Sequence, residues 1–514
     1  MIRKMKKEKI RCAGIGHFVA IRRMLGMFLL LLVFLPACEY DFPSGGEQYV
    51  SGTLDLTSFV AVGDDYLAGF MDGALYTEGQ QHSVAALFAD VLQEAGMTMF
   101  CQADILSPNG WNEYEQEGPG IRGRYVLRYT DEQAAEPEII TLEGEKVPPY
   151  NGERRAIRDL SIPFLKSWQV DDAVLLQNKY YERMALPAPD DLLTARIRSL
   201  QPTTFLLWIG MSDIMGYAAP GGTGDTLFSG PGHPAGDDLT PADLFREKVD
   251  ELTDALLAVP ESKGIILALP DFDDFPFFYY YAYDFIKLPG KQLALARSMY
   301  RDFNEAVTAN NQDPANPKRP YIDFNDNGYT PYPQPVVVVD STLPDAVYPD
   351  GRPLEKYRQL QEGEMVLMSM PRDLLQYGLG SMIPLPSRYY LSSKQIHTIR
   401  HRTEAFNAVL REKVAEYPGR LVLVDVGPRL HEVALTGKLN GWGRPQSEDY
   451  LQVAGVPLQA RLELYSIYSL DGLHLNSRGN AWLTSLIVSA TEQAFGSSLP
   501  SVDINNCKGN VPLY

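Results

Sequence analysis

The chain has 514 residues, 45% of them hydrophobic and 22% charged, a composition too apolar for a disordered polypeptide and ordinary for a folded one. Its net charge of −19, from 46 basic and 65 acidic side chains, offers no basic footprint for a phosphate backbone and argues against a nucleic-acid partner. Four cysteines, none in CxxC spacing, are too few for a disulfide scaffold and form no zinc or redox motif; Cys101 and Cys507 are candidates for one bridge in an oxidising compartment.

Residues 1–37 carry eight basic side chains against one acid, Glu8, and end in the apolar run Met24 to Leu35, with Met24 an alternative start. This is the outline of a signal peptide. A run of twelve apolar residues closed by Pro36 falls short of the roughly 20 that a spanning helix needs. The next residues, Leu35-Pro36-Ala37-Cys38, resemble the bacterial lipobox. That resemblance implies cleavage before Cys38, diacylation of its thiol and attachment of the mature chain to a membrane of the cell envelope, the outer membrane in a Gram-negative cell, facing the periplasm or the surface.

Residues 38–57 read as a tether, 58–496 as the folded domain and 497–514 as a C-terminal tail. Ser58 to Val62, Phe205 to Ile209, Gly264 to Leu269 and Leu421 to Val426 are short, continuously apolar runs, the pattern of strands covered on both faces. Helical spacing marks His82 to Ala95, Pro241 to Ala258, Lys291 to Ala309, Lys394 to Tyr417 and Ser477 to Phe495. Alternation of the two predicts an open, mainly parallel sheet in a three-layer α/β/α arrangement of flavodoxin-like type. Two long insertions interrupt it. Residues 109–151 contain Arg124 to Tyr129 and Glu138 to Leu142, predicted to pair as a hairpin; residues 310–391 are rich in Pro, Asp and Tyr.

In such a sheet the functional groups belong in loops at the carboxyl ends of the strands, and four segments there are informative. Gly63-Asp64-Asp65-Tyr66-Leu67-Ala68-Gly69-Phe70 runs on through Met71-Asp72-Gly73-Ala74-Leu75-Tyr76; then come Asp159-Leu160-Ser161-Ile162-Pro163-Phe164, Trp208-Ile209-Gly210-Met211-Ser212-Asp213 and Leu470-Asp471-Gly472-Leu473-His474-Leu475-Asn476-Ser477-Arg478-Gly479. Taken in this order, the four resemble the conserved blocks of the GDSL, or SGNH, hydrolases, particularly their bacterial lipoprotein members. The resemblance spans most of the mature chain and implies that family's fold.

It also implies a role for each block. The family's serine attacks an acyl carbon while a histidine, oriented by an aspartate, takes its proton; the oxyanion is held by the serine backbone N–H, a glycine N–H and an asparagine amide. Asp471 and His474 stand where the acid and base belong. The nucleophile position holds Asp65, the oxyanion glycine position Phe164 and the oxyanion asparagine position Ser212. A carboxylate is a poor nucleophile toward an ester, because the anhydride it would form expels the carboxylate again in preference to the alkoxide. Asp65 and Asp471 on either side of His474 should hold the imidazole as imidazolium. Phe164 still offers a backbone N–H but its ring crowds an approach that glycine permits, and Ser212 is shorter than asparagine and is not expected to reach as far.

The leading expectation is therefore a degenerate esterase site on a lipoprotein that binds a glycan or acylated ligand or acts in assembly, with no cofactor and no metal. An active ester or carbohydrate-ester hydrolase using Asp65 as general base, or as nucleophile toward an alkyl or phosphoryl centre, is the alternative. Cation binding by Asp64, Asp65, Asp213 and His474 is a further one, and displacement of the working site elsewhere is another. His397 and His401 have i,i+4 spacing but no HExxH glutamate, and read as a solvated face. Asp271 to Phe285, with nine aromatics, reads as packing beneath the insertions, with stacking on sugars as the alternative.

Overall fold

The computed structural model describes residues 49–112, 120–129, 137–146, 149–228, 232–326, 328 and 331–512. The leader, Cys38 and most of the tether lie outside the described residues. Among those described, no helix is long and apolar enough to cross a membrane.

Five strands form the central sheet: β1 (Phe59–Gly63), β2 (Asp159–Ser161), β3 (Thr204–Trp208), β4 (Lys263–Leu267) and β5 (Leu421–Val424). Their order is β2-β1-β3-β4-β5, and every pairing is parallel. Phe59, Val60, Ala61, Val62 and Phe205 to Leu207 have no exposed surface, which explains why these strands read as unbroken apolar runs. β2 escaped the sequence reading because its three residues include Asp159 and Ser161, which bond to each other through Asp159 Oδ1 and the Ser161 N–H at 2.9 Å.

Helices flank this sheet in two groups, an arrangement compatible with three layers. α1 (Val84–Glu94) packs against α7 (Ser477–Phe495), and α4 (Ala242–Leu256) packs against α2 (Leu193–Leu200) and α5 (Ser393–Glu416); α3 (Met211–Ala218) and α6 (Gly427–Ala434) follow β3 and β5 directly. Local chemistry fixes their ends. Ser83 caps α1 through the Ala86 N–H at 3.0 Å, Ser392 and Gln395 form a capping box on α5, and Asn476 caps α7 through the Gly479 N–H at 3.0 Å. The strand order reverses between β1 and β3, the place where open α/β sheets form a crevice at their carboxyl edge.

Three boundaries differ from the sequence reading. The expected helix Lys291 to Ala309 is two helices, Gly290–Met299 and Arg301–Gln312, divided at Tyr300, whose buried ring reaches across to the Ser381 carbonyl at 2.8 Å. The second insertion begins earlier than residue 310: Tyr281, Ile286, Phe303, Ile322, Phe324, Val337 and Leu385 share a hydrophobic core of their own. Phe272, Phe275, Phe277 and Phe278 belong to the main core and Tyr281 to the second, so the aromatic stretch is packing at the seam. Neither flank of the domain is free, because Val50 and Ser498 exchange backbone hydrogen bonds at 2.9 Å, Leu54 is buried, and Ile504 and Cys507 join the main core. In the first insertion, Arg122–Arg128 and Glu138–Glu143 pair antiparallel as the hairpin expected there.

Candidate functional site

β1 delivers Asp64 and Asp65 to the carboxyl edge of the sheet. Asp64 caps the short helix Asp65–Ala68 through the Tyr66 N–H at 3.2 Å, and its other oxygen takes the Ser212 N–H at 3.0 Å. That second bond ties the β1 and β3 loops together with a carboxylate that has no exposed surface. Burial, reinforced by the neighbouring Asp65 charge, pushes Asp64 well above the usual carboxylate range.

Asp65, Phe164, Ser212 and His474 meet although they are distant in sequence. Asp65 Oδ1 accepts from the Ser212 hydroxyl and from the Phe164 N–H at 3.4 Å; Asp65 Oδ2 faces His474 Nε2 at 2.8 Å. On the far side of the ring, His474 Nδ1 lies 3.0 Å from Asp471 Oδ2. Asp471 is itself held by the Ser469 hydroxyl at 2.8 Å and by the N–H groups of Gly73 at 2.9 Å, Leu473 at 2.8 Å and His474 at 3.0 Å. The imidazole is thus clamped between two carboxylates. Burial alone would lower its pKa, but Asp471 and then Asp65 overcome this and raise it to about 10, while Asp471 is held below its ordinary value by the same pairing.

Phe164 offers the backbone N–H expected of it, and Ser212 bonds Asp65. Phe164 sits at φ +62°, the left-handed region that costs an L-residue roughly 1–2 kcal/mol and suits glycine. Its N–H still points at the centre, because the ring is carried away to pack edge-on against Phe70, centroids 4.9 Å apart. Ser212 does reach, because an aspartate extends one atom further than a serine and brings its carboxylate to the hydroxyl. The same oxygen therefore receives donors from both positions to which the resemblance gives an oxyanion role.

Access is closed. The side chains of Asp65 and His474 are each 5% exposed; Tyr66 covers the imidazole at 4.7 Å between centroids and Phe70 at 5.2 Å. Sequence reasoning missed Tyr66, Phe70 and Ser469. It also missed Asp72, which takes the Leu470 N–H and the Tyr76 hydroxyl at 2.8 Å each and so ties the first block to the last. The only available signal was the position of Tyr66, Phe70 and Asp72 inside the first of the four segments and of Ser469 just before the last.

Asp213 does not join the centre. It accepts from the Ser167 N–H at 2.9 Å and the Ser167 hydroxyl at 2.8 Å, and among the described residues no three His, Cys, Asp or Glu side chains are grouped to hold a metal. Asp64, Asp65, Asp213 and His474 thus do not form the cation site considered from sequence, because separate loops turn Asp213 toward Ser167. His397 and His401 are exposed on α5 with ring centroids 6.3 Å apart. Cys101 and Cys507 are both free thiols, Cys101 lying 3.6 Å from the Tyr150 hydroxyl.

No protein-family model matches this chain, and no curated protein or solved structure matches it.

Proposed function

We propose that this chain is an SGNH-hydrolase-like envelope lipoprotein whose ester-cleaving centre has become a charge-neutralised part of the core, and that it works by binding or assembly rather than by acyl transfer. The observation that carries this reading is the Asp65 carboxylate itself. One of its oxygens takes the donors that would stabilise a tetrahedral oxyanion, and the other takes the proton of the ring that would serve as base.

An imidazolium flanked by two carboxylates has no lone pair for a hydroxyl or water. A carboxylate whose oxygens are both engaged beneath Tyr66 and Phe70 has no path to an acyl, alkyl or phosphoryl centre. These same contacts weigh against the reading in which Asp65 is a working general base or nucleophile. The resemblance of the four blocks supports the family reading, and the leader ending in Cys38 supports the membrane attachment.

The test is hydrolysis of short-chain nitrophenyl esters and acetylated sugars by the purified soluble domain. Wild type is expected at the buffer rate. The triple variant Asp65→Ser, Phe164→Gly, Ser212→Asn, checked for folding by circular dichroism, is expected to gain activity around the retained Asp471 and His474. Ester hydrolysis by wild type that disappears in both Asp65→Asn and His474→Ala would overturn the proposal.

A further inference from the structure

A second histidine–carboxylate pair lies on the same carboxyl edge, at the ends of β4 and β5, and it is arranged in the opposite way. Asp274, in the turn after β4, is 2% exposed in its side chain, and its Oδ1 lies 2.7 Å from His431 Nδ1 and 3.1 Å from Lys438 Nζ. Its backbone carbonyl accepts from the Tyr468 hydroxyl at 2.8 Å. The carboxylate is therefore fixed, and it fixes the ring. His431 extends from α6 with 54% of its side chain exposed, and its Nε2 makes no hydrogen bond among the described residues. Where His474 has both nitrogens engaged, His431 has one oriented nitrogen and one free.

His431 lines a cavity of about 360 Å³ together with Asp271, Arg400 and Glu404. This lies at the lower end of small-molecule sites, roughly 300–1,000 Å³. The Asp271 carboxylate makes no hydrogen bond among the described residues, and partial burial with Asp273 and Asp274 beside it holds it above its ordinary value. Lys438 is paired with Asp274 and, at 3.7 Å, with Asp273, whereas Arg400 reaches Asp273 at 2.6 Å through one nitrogen only, with half of its side chain exposed. Among the described residues, the cavity thus offers an unused carboxylate at Asp271, an unused ring nitrogen at His431 and unused N–H groups on Arg400, in a setting where the carboxylates of Asp271, Asp273, Asp274 and Glu404 outnumber the cations Arg400 and Lys438. Such a lining suits a ligand rich in hydroxyl or ammonium donors and repels an anion.

We infer that the cavity at the ends of β4 and β5 is a binding site for a neutral or amino-bearing sugar, with Asp271 accepting hydrogen bonds from its hydroxyl or amino groups and with His431 Nε2 and Arg400 hydrogen-bonding to its hydroxyl groups. The inference rests on the proposed binding role and gives that role a location outside the closed centre.

The test uses the soluble domain, with D-glucose, D-galactose, D-glucosamine and D-glucuronate as probes, followed through the imidazole nitrogen resonances of His431 and by calorimetry. At least one of the three non-anionic sugars should shift the His431 signals saturably, and glucuronate should bind at least tenfold more weakly than that sugar. His431→Phe and Asp271→Asn should each weaken binding by roughly tenfold, the loss expected for one hydrogen bond to the ligand, with melting temperatures near wild type because Lys438 still pairs with Asp274. No saturable shift with any non-anionic probe up to roughly 50 mM, the weak limit for a specific sugar site, would overturn the inference. So would binding unchanged in both variants, or glucuronate binding as tightly as the others. Ester hydrolysis by wild type would sink the proposed function while leaving this titration to decide sugar binding on its own.

Discussion

Asp65→Ala would expose what the buried carboxylate does. In wild type it accepts from Ser212, from the Phe164 N–H and from His474 Nε2. The variant leaves three inward donors facing a void and an imidazolium with Asp471 as its remaining counter-charge. Breaking a buried pair from one side costs about 3–5 kcal/mol, so the urea midpoint should fall substantially without a change in slope. The void has the size and donor set of a small carboxylate, and formate should restore part of the loss. A ligand that binds only the folded state stabilises it by about 2.7 kcal/mol at a hundred times its dissociation constant. The assay is urea denaturation of wild type and variant in formate and in chloride at equal ionic strength, so that general screening cancels. Formate stabilising the variant no more than chloride does, or stabilising wild type to the same degree, would refute the idea that Asp65 occupies an anion site of the protein's own making.

The raised pKa of His474 has a definite sign. The group lies at about 10 in the fold against an ordinary 6.5, so its contribution is whole below about pH 6.5 and is lost as the pH climbs through 10; His474→Gln should flatten that alkaline decline in urea midpoints measured from pH 6 to 10. In the second core, Arg358 bridges Asp340 at 2.6 Å and Glu364 at 2.5 and 2.9 Å, so Arg358→Ala should cost about 3–5 kcal/mol by leaving two buried carboxylates unpaired, read by calorimetry. Cys38→Ser should release the full-length protein from membranes and abolish fatty-acid labelling; unchanged fractionation would remove the lipid anchor from the proposal.

Much of the sheet was legible because β1, β3, β4 and β5 are buried on both faces and leave continuous apolar runs. β2 was not, since a three-residue strand held by Asp159 and Ser161 carries no periodicity at all. At the site, residue types suggested that Asp65 and Asp471 would flank one imidazole, and both carboxylates do face His474, at 2.8 and 3.0 Å. That Phe164 would still offer its N–H was also legible, but the outward turn of its ring and the bond from Ser212 to Asp65 were not, because both depend on where the backbone stands. A left-handed φ turns the Phe164 ring outward and its N–H inward, and the longer Asp65 side chain meets the shorter Ser212. The pairing of His431 with Asp274 was invisible for another reason: the two are 157 residues apart and belong to loops that only the order of β4 and β5 makes neighbours.

The clasp between the start and the end of the described chain has a mechanical meaning. Val50 and Ser498 exchange two backbone hydrogen bonds, the Thr53 N–H and hydroxyl both reach the Phe495 carbonyl at 2.9 and 3.1 Å, and Gly52, at φ +62°, lies so close that a Cβ there would meet that oxygen at 2.4 Å. If Cys38 is the lipidated residue, the chain from it to Tyr49 can span at most roughly 40 Å. Any pull between membrane and domain would then arrive first at this clasp. It would be shared with the end of α7, the longest helix of its group, instead of peeling β1 from the edge that holds Asp65. The tether's load would bypass the centre.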